Sequence, residues 1–537
     1  MSESVRGVVL TGLPGSGKSA VGRCVAEVLS RPFLDLDAEI QRRTGRAPAD
    51  HISHDGEQAF RDLERDAVER ACAVGGAVIA AGGGATLDPL NRWAFMQHGL
   101  RVRLDVPLDV LARRLADDGV ARPLLGEEVQ AGLERTAQER AAVYAAADVA
   151  VEGDADPAAV ADEIVTAAER FDPAATWRVL LDHAYPRHHP AGPPAGRLVI
   201  GAGLTKAAFD ESVAPFADRP PVVVADSRAL AALARLDAAL PDERRLSLRG
   251  GESAKSFARL GELLRWLADL RVERGDPLVA VGGGTIGDLA GLAAALHRRG
   301  MPLVHVPTTW LAQADSAIGG KVAVDLPGAK NGVGTVWPGW SVISDLGLLD
   351  TLPLRHRRDG MVECLKAGLI GDPALWALVE RRGTGALEGT DPAAVHAIIE
   401  RAVRVKLAIV DRDPYEEGER RVLNLGHTIG HALEVESRYR LAHGAAVALG
   451  LRAVAAIGDR RGAEPGLGEQ IDAVLDALGL PLRRAFDARA IEAALGSDKK
   501  RSHGRQRWIL PLAVGRVQEA DDVTADELVT ALRAIQP

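Results

Sequence analysis

The sequence predicts an α/β protein of three units: an α/β domain with a parallel sheet, a second α/β domain and a third unit that is mainly helical. Over residues 1–170, apolar runs such as "GVVL", "FLDLD", "AVIAAGGG" and "RVRLDV" alternate with segments of helical period, which is typical of parallel sheets flanked by helices. A second alternation, with strands at "PVVVADS" and "PLVAVGGG", begins near Trp177. Beyond residue 352, Ala/Leu/Arg-rich helical patterns replace the strand signals and end in a possible strand at "RWILPLAVG".

Changes in composition mark the boundaries between these units. We place the first domain at residues 1–170, a linker with a Pro/Gly-rich loop at 171–196, the second α/β domain at 177–351 and the helical domain at 352–537. The segment Pro186–Gly196 is too rich in Pro and Gly for a core element and is interpreted as an exposed loop. His188 and His189 within it are interpreted as solvated residues, because two histidines alone make no metal site.

Length and composition are those of a large globular enzyme. At about 150 residues per domain, 537 residues predict three or four domains. The net charge of −9, with no strongly basic segment, argues against a nucleic-acid partner. No apolar run reaches the ~18 residues of a membrane span, and the N-terminus lacks the pattern of a secretory or transit peptide. Three widely spaced cysteines favour a reducing compartment, so we expect a cytoplasmic protein without a membrane partner.

The stretch "GLPGSGKS", Gly12–Ser19, predicts a phosphate site. It fits G-x-x-x-x-G-K-[ST], follows a strand and precedes a helix, as this motif requires. The backbone N–H groups that would face the phosphates belong to Gly15, Ser16 and Gly17. Lys18 would reach the β- and γ-phosphates, and the Ser19 hydroxyl would ligate Mg²⁺. We therefore predict a site for ATP and Mg²⁺.

Residues for a phosphate acceptor follow along the chain. Asp35 and Asp37 come at the end of the next strand, where one could organise Mg²⁺ and the other could hold a substrate hydroxyl; Asp37 could equally be a helix N-cap. Gly82, Gly83 and Gly84 close a strand where a ligand could approach the backbone. The remaining candidates are a lid arginine in "ARPLL" and two residues on one helical face, namely Arg122, Arg140 and Tyr144.

Over about residues 1–170, the order of these motifs resembles that of shikimate kinase. The motifs are, in chain order, the P-loop, D-x-D, F-R-x-x-E, G-G-G, R-P-L-L and R-x-x-x-Y. The resemblance implies ATP-dependent phosphorylation of shikimate to shikimate 3-phosphate, with Lys18 and Asp37 catalytic and Arg122 a lid residue over ATP. It also implies that shikimate is bound by Asp37, Arg61, Gly83 and Arg140. Two arginines suit a small carboxylate because the guanidinium fork matches its geometry. Ala142 stands where the family has proline, which affects a turn and not a ligand.

A second candidate site begins with "NLGHTIGHALE". His427 and His431 stand at i and i+4 on one helical face, with Asn424 one turn earlier. Without the glutamate of H-E-x-x-H, a zincin protease is not indicated. Further ligand types occur elsewhere in the chain, namely His443 and the one-turn pair Glu363 and Lys366. The two histidines alone equally fit core or surface positions, whereas two His, one Glu and an open position make a reasonable catalytic zinc site.

Glycine-rich turns and lysines surround this candidate metal site in the sequence. The stretch "VGGGTIGDLAG" follows a strand but lacks the full G-x-G-x-x-G spacing, so alone it is weak evidence for a dinucleotide. The segments "GGESAKS" and "VPTTWLAQADSAIGGK" add loops suited to phosphate. Lysines recur among Gly, Asn and Asp in what we interpret as loop motifs, which favours an anion site over a solvated face; they are Lys255, Lys321, Lys330, Lys366, Lys406, Lys499 and Lys500.

Together with "GAKNGVG", "VECLKAGLI" and "DKK", these strings resemble 3-dehydroquinate synthase from about Trp177 to the C-terminus. The resemblance implies Zn²⁺ (or Co²⁺) ligands at Glu363, His427 and His443. It implies NAD⁺ contacts at Glu252, Lys255, Gly284, Asp288, Thr308, Thr309, Lys321, Lys330 and Thr351. It implies catalytic roles beside the substrate for Asp315, Lys321, Lys366, Lys406, Arg420, Asn424 and His431. It implies that Arg299, Asn331 and one of Lys499 and Lys500 bind the substrate.

The implied chemistry is NAD- and metal-dependent conversion of 3-deoxy-arabino-heptulosonate 7-phosphate to 3-dehydroquinate plus phosphate. The implied fold is a P-loop kinase domain fused to a synthase with an α/β NAD-binding domain and a mainly helical metal-binding domain, dimeric through the synthase half. Trp310 and Ala314 depart from the family pattern and should affect packing only, and Cys364 is interpreted as a buried thiol. Alternatives are another small-molecule kinase, such as one for gluconate, a related sugar-phosphate cyclase, a polyol dehydrogenase, or a scaffold that binds nucleotide without turnover.

Overall fold

Two parallel sheets organise the chain in the computed structural model, one in each of two units, Met1–Asp182 and His183–Pro537. The structure describes residues 7–118, 125, 128–145, 147–171, 177–181, 196–203, 205–216, 218–236, 241–326, 329–497, 501–502 and 505–537. The predictions made for Arg122, His188, His189, Lys499 and Lys500 therefore lie outside the described residues. Within these ranges, no helix combines the length and the apolar character needed to cross a membrane.

The first unit is a five-stranded parallel sheet in the order β2-β3-β1-β4-β5. The strands are β1 (Gly7–Thr11), β2 (Phe33–Asp35), β3 (Val78–Ala80), β4 (Gly99–Asp105) and β5 (Val149–Glu152), and a short strand β6 (Trp177–Leu181) follows later. The helices are α1 (Lys18–Val28), α2 (Leu36–Thr44), α3 (Pro48–Asp55), α4 (Glu57–Ala73), α5 (Pro89–His98), α6 (Leu108–Asp118), α7 (Val129–Ala145) and α8 (Pro157–Arg170).

The central strand β1 is buried on both faces, as the apolar run "GVVL" predicts. Val8 and Leu10 pack in a core with α1 and α8, whereas Val9 packs in a second core with α2, α4 and α5. One prediction needs correction: "FLDLD" is a strand only as far as Asp35, since the Asp35 side chain accepts a hydrogen bond from the N–H of Ala38 and begins α2.

In the second unit, six parallel strands follow the order β7-β14-β11-β10-β8-β9. The strands up to this point of the chain are β7 (Gly196–Gly201), β8 (Val222–Asp226), β9 (Arg245–Leu248), β10 (Leu278–Gly282), β11 (Leu303–Pro307), β12 (Lys321–Leu326), β13 (Ala329–Val336) and β14 (Ser341–Asp345). The helices among them are α9 (Thr205–Val213), α10 (Leu230–Arg235), α11 (Phe257–Asp269) and α12 (Gly284–Leu296).

Strands β12 and β13 form an antiparallel hairpin that the sequence analysis did not predict. The segments around Lys321, Lys330 and Asn331 were interpreted as loops, but all three residues lie on this hairpin. Val322 and Val324 on β12 both face the core formed by α11 and α12. The strand therefore has the alternation of buried and exposed side chains that is typical of β-structure, although the flanking segments are rich in glycine. Lys366 and Lys406 also lie outside loops, on helices of the last part of the unit.

After β14 the second unit becomes mainly helical, as predicted. The helices are α13 (Leu354–Gly371), α14 (Pro373–Glu388), α15 (Pro392–Arg412), α16 (His427–Glu436), α17 (His443–Arg460), α18 (Leu467–Ala477), α19 (Ala488–Ser497) and α20 (Ala525–Ala534). Between the last two are β15 (Arg501–Ser502), β16 (Arg505–Gln506), β17 (Trp508–Ala513) and β18 (Arg516–Ala520), and β17 confirms the strand predicted at "RWILPLAVG". Pro373 and Pro392 begin their helices, capped by Asp372 and Asp391.

Candidate active sites of the two units

The turn between β1 and α1 has the backbone shape of a phosphate cradle. Gly15 and Gly17 have φ of 81° and 87°, in the left-handed region that glycine adopts without steric cost. Helix α1 begins at Lys18, and its N-cap Gly17 provides no side-chain hydrogen bond to the first turn. The N–H groups of this turn are therefore suited to an anion, which the positive end of the helix dipole also favours.

Lys18 and Ser19 are held at this turn. Lys18 Nζ donates to the carbonyl oxygens of Gly12 and Leu13, both at 3.0 Å, and lies 3.3 Å from Ser16 Oγ. Ser19 Oγ donates to Asp35 Oδ2 at 2.5 Å. The hydroxyl and the carboxylate form an oxygen-rich corner suited to Mg²⁺ and its water ligands. Since Asp35 is the N-cap of α2, the alternative that Asp37 is that N-cap is wrong.

A charged pocket surrounds the glycines after β3. A Cβ atom on Gly82 would come within 2.9 Å of Asp37 Oδ1 and 2.8 Å of Glu64 Oε1. A Cβ atom on Gly84 would collide with the Arg61 guanidinium, and one on Gly83 would lie 3.5 Å from Arg140 NH1. The structure thus brings Asp37, Arg61 and Arg140, the residues that the sequence predicted to act together, around the backbone of these three glycines.

Hydrogen bonds tie this pocket to the phosphate cradle. Arg140 NH1 donates to the Gly83 carbonyl at 2.5 Å, and the Tyr144 hydroxyl lies 2.7 Å from the same oxygen and 3.2 Å from the Gly12 carbonyl. Glu64, which the sequence analysis quoted in F-R-x-x-E without giving it a role, is 1% exposed and pairs with Arg61 at 2.8 Å. Burial raises the pKa of Glu64, and Arg61 offsets only part of that effect.

In the second unit, a glycine turn lies at the carboxyl ends of β10 and β11. Gly282 ends β10, Gly283 is the N-cap of α12, and Gly284 begins that helix. A Cβ atom on Gly283 would lie 3.0 Å from Thr309, and one on Gly284 would lie 2.7 Å from Ser316 Oγ. A pocket opens here, lined by these glycines together with His305, Pro307 and Ser316. The carboxyl edge of a parallel sheet is where such folds bind ligands.

Several predicted cofactor residues lie around this turn. The Thr308 N–H donates to the Gly282 carbonyl at 2.9 Å, and Lys255 forms an ion pair with Asp288 on α12. Burial raises the pKa of Asp288 despite Lys255. Glu252 Oε1 lies 3.5 Å from Lys330 Nζ. Thr351 is exposed in the turn before α13, and its predicted contact remains a prediction.

Glu363, His427 and His443 form a cluster whose ligand atoms all lie within 4.8 Å of one another. Glu363 Oε1 is 3.5 Å from His427 Nε2 and 3.3 Å from His443 Nε2. Both Glu363 oxygens are buried and make close ionic contacts, including one with Lys366, instead of well-formed hydrogen bonds. Burial raises the pKa of Glu363, but Lys366 and His443 outweigh burial and bring it down to about 2.

The two histidines have their remaining nitrogens fixed. His427 Nδ1 donates to the Leu425 carbonyl at 3.0 Å, and His443 Nδ1 lies 3.1 Å from Glu434 Oε1. Because a carbonyl only accepts, His427 carries a proton on Nδ1, and its Nε2 faces the cluster. His431, with its ring centre 5.2 Å from that of His427, stands beside the cluster. In the metal-free protein burial lowers the pKa of His443, and the two carboxylates more than offset this and raise it to about 9.

Glycines let α16 and α17 approach closely enough to bring the histidines together. A Cβ atom on Gly450 would overlap the carbonyl oxygen of Gly426, and one on Gly430 would lie 3.1 Å from the Ala446 carbonyl. Gly426 itself has a φ of 75° and starts α16 at His427. The prediction that Asn424 extends the same helical face is therefore wrong, because Asn424 ends a separate 3₁₀ turn.

Ionic contacts connect the other predicted residues beside the cluster. Lys406 Nζ donates to Asp315 Oδ1 at 2.7 Å, and Asp315 lies in a π-helical turn, Ala312–Ser316, of the kind often found at functional sites. Burial lowers the pKa of Lys406 despite Asp315. The Arg420 guanidinium donates to the Gly319 carbonyl at 2.9 Å. Burial lowers its pKa as well.

Glu416 is a contact residue that the sequence analysis missed. It pairs with Lys321 on the hairpin and accepts a hydrogen bond from Asn424 Nδ2 at 2.8 Å. Its φ of 61° is unusual for a side chain of this size, which marks a position held by its surroundings. Arg299 and Asn331 are both exposed, and their predicted substrate contacts remain predictions.

The packing at the departures from the family pattern is well defined. Trp310 is 1% exposed, and its indole N–H points at Cys364 Sγ at 3.3 Å. Cys364 is fully buried and free, which confirms the predicted buried thiol, and burial raises its pKa to about 12. A Cβ atom on Gly360 would press on Trp310, so the tryptophan packs directly on α13, the helix of Glu363.

Fold and sites together define a chain of two enzymes, a P-loop kinase and an enzyme with a dinucleotide-type sheet and a candidate metal centre. Family models match over most of both units: Shikimate kinase over residues 14–169, 3-dehydroquinate synthase N-terminal over 245–359 and 3-dehydroquinate synthase C-terminal over 360–501. The chain belongs to the 3-dehydroquinate synthase family and carries a shikimate kinase domain as its first unit.

Individual relatives agree with this assignment. The 3-dehydroquinate synthase of Mesorhizobium japonicum is 40% identical over 361 residues, which are 64% of this chain and 95% of the relative. That of Rhodospirillum rubrum is 39% identical over 68% of this chain and 97% of the relative. Among solved structures, a 2-epi-5-epi-valiolone synthase from Streptomyces hygroscopicus, with NAD⁺ and Zn²⁺ bound, has a TM-score of 0.59 at 28% identity, covering 64% of this chain and 97% of that one.

Proposed function

We propose that the chain catalyses two reactions: ATP-dependent phosphorylation of shikimate to shikimate 3-phosphate, and conversion of 3-deoxy-arabino-heptulosonate 7-phosphate to 3-dehydroquinate plus phosphate. The pocket that joins Arg61 and Arg140 to the phosphate cradle supports the first. The Glu363–His427–His443 cluster beside buried lysines supports the second. We further propose domain boundaries at 1–170, 177–351 and 352–537, a homodimer formed through the synthase half, and a cytoplasmic location.

In the kinase unit, positioning and charge would do most of the work. Lys18 and the glycine turn would hold the phosphates of ATP, and Ser19 with Asp35 would hold Mg²⁺. Arg61 and Arg140 would bind the carboxylate of shikimate, and Asp37 would accept the proton of the attacking hydroxyl. The new O–P bond forms as the bond between the γ-phosphorus and ADP breaks, so ADP leaves with the electron pair.

The residues of the second site fit a metal and a dinucleotide. Two imidazole Nε2 atoms and one buried carboxylate are a donor set that suits Zn²⁺ or Co²⁺. The open backbone at Gly283 and Gly284 and the first turn of α12 suit a pyrophosphate. When bound, the metal would supply Lewis acidity to a substrate hydroxyl, and NAD⁺ would supply a reversible hydride acceptor.

The charged side chains of the chain itself would select the substrate. The site has four positive side chains, namely Lys321, Lys366, Lys406 and Arg420. Their carboxylate partners are Glu416, Asp315 and Glu363, so a net positive charge remains once Glu363 binds a metal. This charge suits a substrate with both a phosphate and a carboxylate. Burial of Lys406 and Arg420 excludes water from these contacts and strengthens them.

A substrate panel tests the proposal and separates it from its alternatives. With Zn²⁺ and NAD⁺ added, phosphate release should be at least about 100-fold faster from the heptulosonate phosphate, which carries a carboxylate, than from hexose or heptose phosphates without one. Preference for the latter would indicate a related cyclase, and net NADH production would indicate a polyol dehydrogenase. In the kinase assay, ADP should form with shikimate and not with gluconate.

A further inference from the structure

We propose that Glu434 is a positioning residue that couples the metal centre to the dinucleotide site, because one carboxylate holds both His443 and Lys330. The inference rests on the proposed metal and NAD⁺ sites. It concerns a residue that makes no contact with either ligand in that proposal. Its role would be to fix the two side chains that do.

The geometry at Glu434 is that of a shared acceptor. Its side chain is 4% exposed on α16, and Oε1 lies 3.1 Å from His443 Nδ1. Lys330 Nζ donates to Oε1 at 3.1 Å and lies 3.3 Å from Oε2. No change of rotamer is needed for both contacts, so His443 and Lys330 are held at the same time.

The contact with His443 determines how that histidine can act as a ligand. A carboxylate that accepts from Nδ1 keeps that proton in place, so Nε2, which lies 3.3 Å from Glu363, is the nitrogen that a metal would take in exchange for its proton. Carboxylates in this position orient ligand imidazoles and raise their basicity, and their loss typically weakens metal binding about 10–100-fold. His427 Nδ1 has a backbone carbonyl as its acceptor, whereas the acceptor at His443 Nδ1 is a side chain that can be replaced.

The contact with Lys330 extends the path to the dinucleotide site. Lys330 lies on β13 and is also 3.5 Å from Glu252, in the turn before α11. The Tyr439 ring centre, 5.8 Å from Lys330 Nζ, covers another side of the lysine. A continuous series of contacts therefore runs from Glu252 through Lys330, Glu434 and His443 to Glu363.

This series predicts reciprocal coupling between metal and NAD⁺. A metal that fixes His443 also fixes Glu434 and, through it, Lys330, so NAD⁺ would bind to a lysine that is already ordered. By linkage, NAD⁺ must then tighten metal binding by the same factor. We expect a factor of about 5 or more, the lower end of typical allosteric coupling.

The test uses the full chain and measures binding instead of turnover. Co²⁺ affinity is measured by the visible absorption of bound Co²⁺, and NAD⁺ affinity by calorimetry with and without Co²⁺. Glu434→Gln should bind Co²⁺ about 10–100-fold more weakly, with an altered absorption spectrum and no coupling. Lys330→Met should keep the Co²⁺ affinity of the wild type and lose the coupling. Glu436→Gln, on the same helix but bonded to Arg484 at 2.9 Å, should match the wild type.

The remaining outcomes separate a failure of this inference from a failure of the proposed function. Coupling and Co²⁺ affinity that survive unchanged in Glu434→Gln would overturn this inference alone. A wild-type chain that binds neither Co²⁺ nor NAD⁺ would overturn the proposed function and this inference with it. Because Lys330→Met leaves the hydrogen bond between His443 and Glu434 intact, coupling that persists unchanged in that variant would overturn the inference even if Glu434→Gln fails to fold.

Discussion

His443 Nε2 lies 3.3 Å from Glu363 Oε1, although the two residues belong to different helices, α17 and α13. The approach depends on α16, which carries His427 and packs against α17 through glycine backbone. A site assembled from three helices is sensitive to their packing, whereas the phosphate cradle of the first unit is built within one turn and one helix. The two sites should therefore respond to different substitutions.

The two activities should be separable by single substitutions. Lys18→Ala removes the only side chain of the P-loop motif that would neutralise the β- and γ-phosphates, so kinase turnover should fall about 100-fold or more. His427→Ala removes one candidate metal ligand, so phosphate release should fall by a similar or larger factor. Each variant should retain the other activity within about twofold, because each acts on its own unit. Loss of both activities in either variant, with the chain still folded, would contradict two independent sites.

The geometry of Arg61 should matter as well as its charge. Arg61→Lys keeps a cation but loses the planar fork that pairs with Glu57 and Glu64, so KM for shikimate should rise about 10-fold, with a smaller change in KM for ATP. Arg42→Lys is the matched control, since Arg42 forms an i, i+3 pair with Glu39 and its side chain is 71% exposed. Steady-state kinetics with each substrate varied in turn measures the effect. Equal effects of the two substitutions would show that Arg61 contributes only surface charge.

The packing of α16 on α17 should tolerate no side chain at Gly450. Gly450→Ala places a methyl group on the carbonyl oxygen of Gly426, so it should destabilise the second unit by about 1–3 kcal/mol and weaken Co²⁺ binding. Gly261→Ala is the control, because a Cβ atom there meets nothing within 4 Å and alanine is the better helix former. Denaturant unfolding monitors stability. If Gly450→Ala were as stable as the wild type, the close helix approach would be wrong.

Acid should loosen the end of the second unit through Glu527. Its pKa is held down to about 2, chiefly by Arg461, which donates to Oε1 at 2.6 Å, and also by the capping hydrogen bond to the Thr524 N–H at 2.8 Å. A depressed carboxyl pKa stabilises the fold above its ordinary value of 4.5, and this stability is lost as the pH falls through about 2.

Glu527→Gln should accordingly be less stable near neutral pH and lose less stability on acidification than the wild type. Arg461 is 23% exposed and also pairs with the exposed Asp522, so solvent screening keeps the effect small. Glu464→Gln provides the control, because Glu464 is 66% exposed and its ion pair with Arg516 is long, at 3.8 Å. Thermal unfolding between pH 3 and 7, scanned for both variants, measures the difference. Parallel pH profiles for Glu527→Gln and the wild type would refute this account.

Local patterns were enough to predict much of the fold and parts of both sites. "GLPGSGKS" specifies its own turn, and "GVVL" and "PLVAVGGG" specify buried strands, because glycine conformation and apolar runs act over a few residues. The β12–β13 hairpin escaped prediction because its alternating valines are enclosed by glycines and lysines typical of loops. Its strands are held by packing on α11 and α12, and these contacts are too distant in sequence to be recognised from a short stretch of residues.

The missed site residues were acids whose partners are far away in sequence. Glu416 contacts Lys321, which is 95 positions earlier, and Glu434 contacts Lys330, which is 104 positions earlier. Glu416 lies in the turn after α15 and Glu434 lies on α16. Acidic residues in turns and on helices are common and most of them face solvent, so their type alone did not distinguish these two. Glu64 differs, because its i, i+3 pairing with Arg61 was readable from "FRDLE" and only its burial required the structure.

The central claim is that the second unit uses NAD⁺ as a recycled cofactor while it eliminates phosphate. The most direct measurement follows phosphate release from 3-deoxy-arabino-heptulosonate 7-phosphate by the full chain with Zn²⁺ and substoichiometric NAD⁺, with NADH absorbance recorded in parallel. We predict many phosphates released per NAD⁺ and no net rise in NADH. Phosphate release that stops at one equivalent per NAD⁺ with matching NADH, or no release from folded, metal-loaded protein, would contradict the account.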